Sequence, residues 1–350
     1  MPSRISKLYP MRKSIFFSLL LIFTSTAKAQ QVPQYSQYLQ NQYMVNPGAT
    51  GVYDFMAISL GGRMQWVGIE GAPKTSYVYF AAPSSKWRGS SMKRTFGKVR
   101  RNNIKVKHPT MRINKLTHAF GGQLLGDQFG PFREFKFMGS YAIHIPLSRE
   151  YALSFGTSVG LSNRSFISTN AQVLSVLTDT GIFDATYDQQ AGSQGSQNTL
   201  QVDAGVYFHG KLGFFGVAAN QLTKDLVKFG NRTFDFDPQM HFHVTGGYHF
   251  DLQRQRMKIS PSFLVKYVNP APVSWELSCQ LQFNERYWLA TSYRHKDAVV
   301  IGAGLYASNS FKIGYSFDFS TTSLFRYSAG GHELNLTFML GRDVGFSPKF

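Results

Sequence analysis

The chain has 350 residues and a single cysteine, Cys279, so no internal disulfide can close. It has no run of about 18 apolar residues, the length a helix needs to cross a bilayer. The one candidate, Ile15 to Phe23, is too short. Carboxylates are scarce as well: 19 Asp and Glu stand against 37 Lys and Arg, for a formal charge of +18. Such an excess suggests a nucleic-acid partner until the charge is located. Five of the basic residues fall in 1–29 and eleven in 86–115; neither segment holds an acid, and the remainder sums to +2. The body of the chain is therefore close to neutral, and no nucleic-acid partner is expected.

The lack of a helical span leaves strands as the other way across a membrane. Successive side chains of a strand point to opposite faces. In the last third, Val273, Trp275, Leu277, Cys279, Leu281 and Phe283 alternate with Ser274, Glu276, Ser278, Gln280 and Gln282. Phe311, Ile313, Tyr315, Phe317 and Phe319 alternate with Lys312, Gly314, Ser316 and Asp318, and Leu334, Leu336, Phe338 and Leu340 with Glu333, Asn335, Thr337 and Met339. Aromatics at 15% and 32 glycines suit aromatic girdles and small inward residues. Strands are expected near 55–66, 74–82, 116–126, 132–145, 150–162, 199–209, 211–220, 241–250, 257–267, 272–283, 286–294, 297–306, 310–319 and 332–340. The predicted fold is all-β, an antiparallel transmembrane barrel of about 14 strands, with short links alternating with long ones.

Arg12 and Lys13 precede the apolar run, and Ala27-Lys28-Ala29 supplies small residues at the cleavage spacing. Residues 1–29 therefore read as a secretory signal peptide, cut near Ala29. Residues 30–350 form the barrel, with 30–51 as a leader or cap and 84–115 as a basic insert on the periplasmic side. Tyr35, Tyr38 and Tyr43, with Asn46 and Pro47, are candidates for a plug or cap at the periplasmic mouth; a flexible leader is the alternative.

The insert carries Lys93, Arg94, Lys98, Arg100, Arg101, Lys105 and Lys107. It reads either as a solvated loop or as a contact for an acidic partner or anionic headgroups. His241, His243 and His249 share one face of a strand, where lumen hydrogen bonding is favoured over metal. Asp179, Asp184 and Asp188 lack the fixed spacing of a calcium loop. Lys136, Asp203, Lys266, Glu276, Arg294, Lys312, Asp318 and Glu333 read as lumen ion pairs, favoured over a selectivity lining because their signs nearly cancel. An enzyme is rejected, because scattered serines, histidines and aspartates make no triad and nothing like a Gly-x-Ser-x-Gly motif is read in the chain. No cofactor and no metal are expected.

QYSQYLQNQYMVNPGATG (34–51) and RMQWVGIEGAPKTSYVYFAAP (63–83) resemble the PorP/SprF family, as do residues 260–306 and 313–338. The resemblance covers nearly all of the chain after residue 29. It implies a non-enzymatic outer-membrane protein of type IX secretion and gliding motility in a Gram-negative bacterium. Some members help attach the periplasmic ring of the machinery; others serve export or surface attachment of a large adhesin with a C-terminal sorting domain. The expected partners are thus outer-membrane lipid, a secreted surface protein with a sorting domain, and periplasmic ring components. Partner contacts are expected on the long outward links 164–198, with Asp179, Asp184 and Asp188, and 221–240, and on the turn with Trp66, Gly68, Glu70, Pro73 and Lys74. The competing reading is a diffusion porin or a carrier of hydrophobic ligands.

Overall fold

A computed structural model describes residues 33–84, 115–167, 196–224, 228–229, 239–252, 257–284, 286–308 and 310–341. Fourteen antiparallel strands close on themselves. They are β1 (Met56–Met64), β2 (Lys74–Pro83), β3 (Thr117–Phe129), β4 (Phe132–Pro146), β5 (Tyr151–Phe166), β6 (Ser196–Gly210) and β7 (Gly213–Asn220). There follow β8 (His241–Tyr248, resuming as Phe250–Leu252), β9 (Met257–Val268), β10 (Ser274–Phe283), β11 (Tyr287–Arg294), β12 (Ala298–Ser308), β13 (Phe311–Ser320) and β14 (Gly331–Leu340). Each strand pairs with the next, and β1 pairs with β14. An even strand number lets the first and last strands meet antiparallel and leaves no open edge in the membrane.

The alternation read from the sequence sets the two faces. Phe137, Leu277, Leu289 and Ile301 stand exposed on the outside, at half or more of their free surface. Exposure of such side chains over a whole sheet requires an apolar solvent. Tyr248 and Tyr287 lie at one end of this face, and Tyr267 and Tyr293 at the other, as interfacial aromatics do. Cys279 sits on the outward parity of β10, between the buried Ser278 and Gln280.

Strands β5, β6 and β8 depart from the sequence reading, and β3 runs on to Phe129. β5 and β6 run on together to Phe166 and back from Ser196, pairing Ser165 with Ser196. Apart from Phe166, which packs on Phe132, the added residues are polar on both faces, because a hairpin extending past the bilayer meets water on each side. β8 breaks at His249, whose N–H turns to Leu212 O at 2.7 Å, while its ring accepts or donates at Ser260 Oγ, 2.8 Å away. The alternation continues through that interruption, so the sequence reads as one strand.

The barrel end where β1 starts and β14 finishes is the terminal end; the opposite one is the loop end. The loop end carries the links at 65–73, 167–195, 221–240 and 321–330, against two to four residues at most terminal-end turns. The basic insert lies almost wholly outside the described residues.

Candidate functional site

The lumen is occupied by the chain's own N-terminal segment. From Ser36 to Val52 nearly every residue is buried, and the segment crosses from the loop end to the terminal end before β1 begins. It contains one helical turn, α1 (Gln42–Val45), followed by a 3-10 turn at Pro47–Ala49. Asn46 starts that turn: its Oδ1 accepts from Gly48 N at 2.8 Å, and Pro47 presets the backbone. The sequence placed a plug or cap at the mouth; the observed segment instead runs the height of the barrel.

At the loop end the plug is held by charge. Ser36 Oγ donates to both oxygens of Asp318 at 2.6 and 2.8 Å, and Ser36 N donates to Glu333 Oε2 at 2.6 Å. Arg63 donates to Gln34 O at 2.7 Å and to Asp318 Oδ2 at 2.6 Å. Arg294, 1% exposed, donates to Glu276 Oε2 at 2.9 Å and Asp297 Oδ2 at 3.0 Å, and its Nη1 lies 3.5 Å from Asp318 Oδ2. The inward charges thus offset one another, and a buried carboxylate without such partners would be costly. Arg63, Glu134 and Arg164 belong to the same scheme, Arg164 meeting Glu134 at 3.2 Å. The sequence reading missed these three, although their parity on β1, β4 and β5 identifies them as inward.

Midway, Asn41 Nδ2 donates to Tyr77 OH at 2.7 Å, and Tyr79 OH donates to Asn41 Oδ1 at 3.1 Å. Tyr43 OH meets Ser140 Oγ at 2.8 Å, and Gln40 bridges Gln280 and Lys312. Tyr35 packs edge-on against Tyr77, and Tyr43 against Tyr79, each at 5.4 Å. Toward the terminal end the fit is steric. A Cβ on Gly156 would lie 2.2 Å from Pro47 O, and one on Gly205 would lie 2.1 Å from Asn46 Oδ1. Asn46 Nδ2 meanwhile donates to Val206 O and Val217 O at 3.1 and 3.2 Å. His144 Nε2 pairs with Thr50 O at 2.8 Å, and His243 Nδ1 with Val45 O at 3.2 Å. Two cavities between plug and wall measure about 30 and about 10 Å³, room for single waters and not for a solute.

The residues Gly156-Thr157-Ser158-Val159-Gly160 do spell Gly-x-Ser-x-Gly, which corrects the sequence reading. They lie inside β5 and not on a strand-to-helix turn, and Ser158 Oγ is bonded to Ser140 Oγ at 2.6 Å. The pattern here places small residues along an inward strand face and builds no nucleophile elbow.

The loop-end candidates divide. Trp66 (φ 48°), Gly68 and Glu70 form an ordered link, with Val67 paired to the 321–330 link through Gly330 O at 2.9 Å and Ala329 N at 2.7 Å. Pro73 is buried. Lys74 is not part of the turn: it opens β2 and faces outward. Asp179, Asp184 and Asp188, and the insert residues Lys93 to Lys107, lie outside the described residues. The 321–330 link adds Phe325 and Tyr327, which are 64% and 74% exposed. Sequence reading passed over them, although apolar residues in a link that breaks the alternation were the available signal.

Residues 27–338 match the sequence profile of a family described as type IX secretion system membrane protein PorP/SprF. Among curated proteins, none matches the chain. The chain is similar to the solved CymD monoaromatic hydrocarbon channel (7% identity, TM-score 0.44, 87% of this chain and 92% of that one). It is also similar to a Pseudomonas aeruginosa FadL homologue (9%, 0.42, 85% and 93%) and to the P. putida toluene transporter TodX (10%, 0.40, 83% and 90%). Likenesses at this level carry no inference about what this chain binds.

Proposed function

The chain belongs to the PorP/SprF family of type IX secretion membrane proteins, and from that premise we propose that it anchors, or supports export of, a secreted surface protein at the outer membrane. In this reading the loop end faces outward and meets a protein bearing a type IX sorting domain. The terminal end, with the basic insert, faces the periplasm and meets ring components of the secretion and gliding machinery. The protein works by holding partners and not by catalysis.

The single observation that carries the reading is the filled lumen. A diffusion porin or hydrophobic-ligand carrier needs a path through the barrel, and here the path is occupied by Ser36–Val52, bonded to the wall along its length. An anchoring barrel needs only a rigid frame and ordered outer links. Trp66, Gly68 and Glu70, joined to the link with Phe325 and Tyr327, supply such a ledge, and exposed aromatics are efficient contact residues. Asp179, Asp184 and Asp188, on the 164–198 link, are proposed to extend the contact region.

The test is a gentle-detergent pull-down of the tagged protein from its own membranes, followed by mass spectrometry. Recovery of a large surface protein with a sorting domain, or of ring components, is the expected outcome. Recovery of a lone barrel that conducts ions in planar bilayers would overturn it in favour of a pore. Deleting 87–113 tests the periplasmic side, where loss of ring components with the surface protein retained is expected.

A further inference from the structure

On the outer wall near the loop end, β1, β2 and β3 place Gly62, Ser76 and Gly126 side by side in one cross-strand row, flanked by Leu334 and Phe135. The next row toward the membrane centre is Leu336, Leu60, Val78, Leu124 and Phe137. Three small residues in one row leave an open groove of about 520 Å³, bounded by Leu60, Val78, Leu124, Phe135, Leu334 and Leu336.

The row on the other side of the groove, toward the loop end, runs Met64, Lys74, Gln128 and Arg133. Lys74 and Arg133 are exposed, and neither has an ion pair among the described residues. Asp127, across from Thr75, turns inward and accepts from Thr75 Oγ1 at 2.6 Å, and Glu134, next to Arg133, turns inward and accepts from Arg164 at 3.2 Å. Glu70, the acid nearest Lys74 in the chain, is exposed on the 65–73 link and makes no ion pair with it. Other strand cations, such as Arg63, Lys136, Arg294 and Lys312, are buried in the lumen. Lys74 and Arg133 therefore stand apart, as two positive charges at headgroup level directly above an apolar recess.

We propose that this face binds an individual membrane lipid, with a phosphorylated headgroup between Lys74 and Arg133 and an acyl chain in the groove over Gly62, Ser76 and Gly126. The charge complements a phosphate, and the recess accepts a hydrocarbon chain that a wall of leucines would exclude. A bare anion would use only the upper row, and a neutral lipid only the lower one. The site is on the barrel wall, so it is independent of the partner protein proposed for the loop end.

The test uses the full-length protein in detergent, with lipid A as the probe and native mass spectrometry as the readout. Wild type is expected to retain one lipid A at concentrations where K74Q/R133Q retains at least tenfold less. Gly62→Leu keeps both cations and fills the groove; an added Cβ there has no atom within 4 Å, so the barrel accommodates it. It is expected to weaken retention to a similar degree, with unchanged heat-modifiable mobility confirming the fold. A matched diacylglycerol is expected not to be retained, and inorganic phosphate not to compete. Equal retention by wild type and both variants would reveal an unselective lipid annulus and overturn the proposal. Full competition by phosphate, or equal retention of the diacylglycerol, would overturn it too.

Discussion

The two ends of the plug are held in different ways. At the loop end, Gln34 and Ser36 meet formal charges: Arg63, Asp318 and Glu333, backed by Arg294 and Glu276. At the terminal end, Asn46 and Pro47 lie against backbone, because Gly156 and Gly205 present no side chain there. A charged latch is strong but lets its partners exchange with water and other ions. At the terminal end the segment sits too close to the wall for any side chain at Gly156 or Gly205, with Asn46 bonded to Val206 O and Val217 O, and the fit opens only by moving the segment. The contrast suggests that the loop end is where the plug yields first.

The largest effect should come from Arg294→Met. It removes the shared cation of Glu276, Asp297 and Asp318, and breaking such a buried set costs about 3–5 kcal/mol. Heat-modifiable gel mobility in detergent should show unfolding at a lower temperature than wild type. An unchanged transition would mean that the latch contributes little and that the comparison fails. Gly156→Val is next. The new side chain collides with Pro47 O, and overpacking of this kind costs about 3 kcal/mol. The segment should be pushed out, giving steady ion conductance in planar bilayers where wild type gives none.

Asn46→Ala sharpens the terminal side. It leaves Val206 O, Val217 O and Gly48 N without their partner, at about 2 kcal/mol, and should raise amide exchange across 46–50 without opening a steady conductance. The smallest effect is expected for Tyr43→Phe, which loses one hydroxyl bond to Ser140, about 1 kcal/mol. Exchange should then rise around Tyr43 alone. A larger effect there than for Asn46→Ala would shift the weight of the fit to the middle of the barrel.

Much of the wall is legible in the order of residues. Period-two alternation reports which solvent each face meets, so Leu277 can be assigned outward and Glu276 inward from their places in the chain. Limits fail where that cause stops acting. The β5–β6 hairpin past the bilayer is wet on both faces, and the interruption at His249 keeps the parity. The plug is only partly legible. Its tyrosines and the Asn46-Pro47-Gly48 turn mark a segment with structure, but nothing local says that Ser36 reaches Asp318, some 280 residues away. The exposed pair Phe325 and Tyr327 escapes notice because the same composition in a strand would be ordinary membrane surface.

By itself the sequence determined the membrane-facing pattern, the even strand number, the near-neutral body with its one basic insert, and the family. Each of these is a local or compositional property, carried by side-chain period and by recognisable runs of residues. Only the tertiary structure decided that the lumen is filled, which inward charges share partners, and that Gly62, Ser76 and Gly126 form one groove beneath Lys74 and Arg133. Those facts depend on cross-strand register and on a segment folding back through the barrel. They arise when residues far apart in the chain are brought to the same depth, and no local pattern encodes that depth.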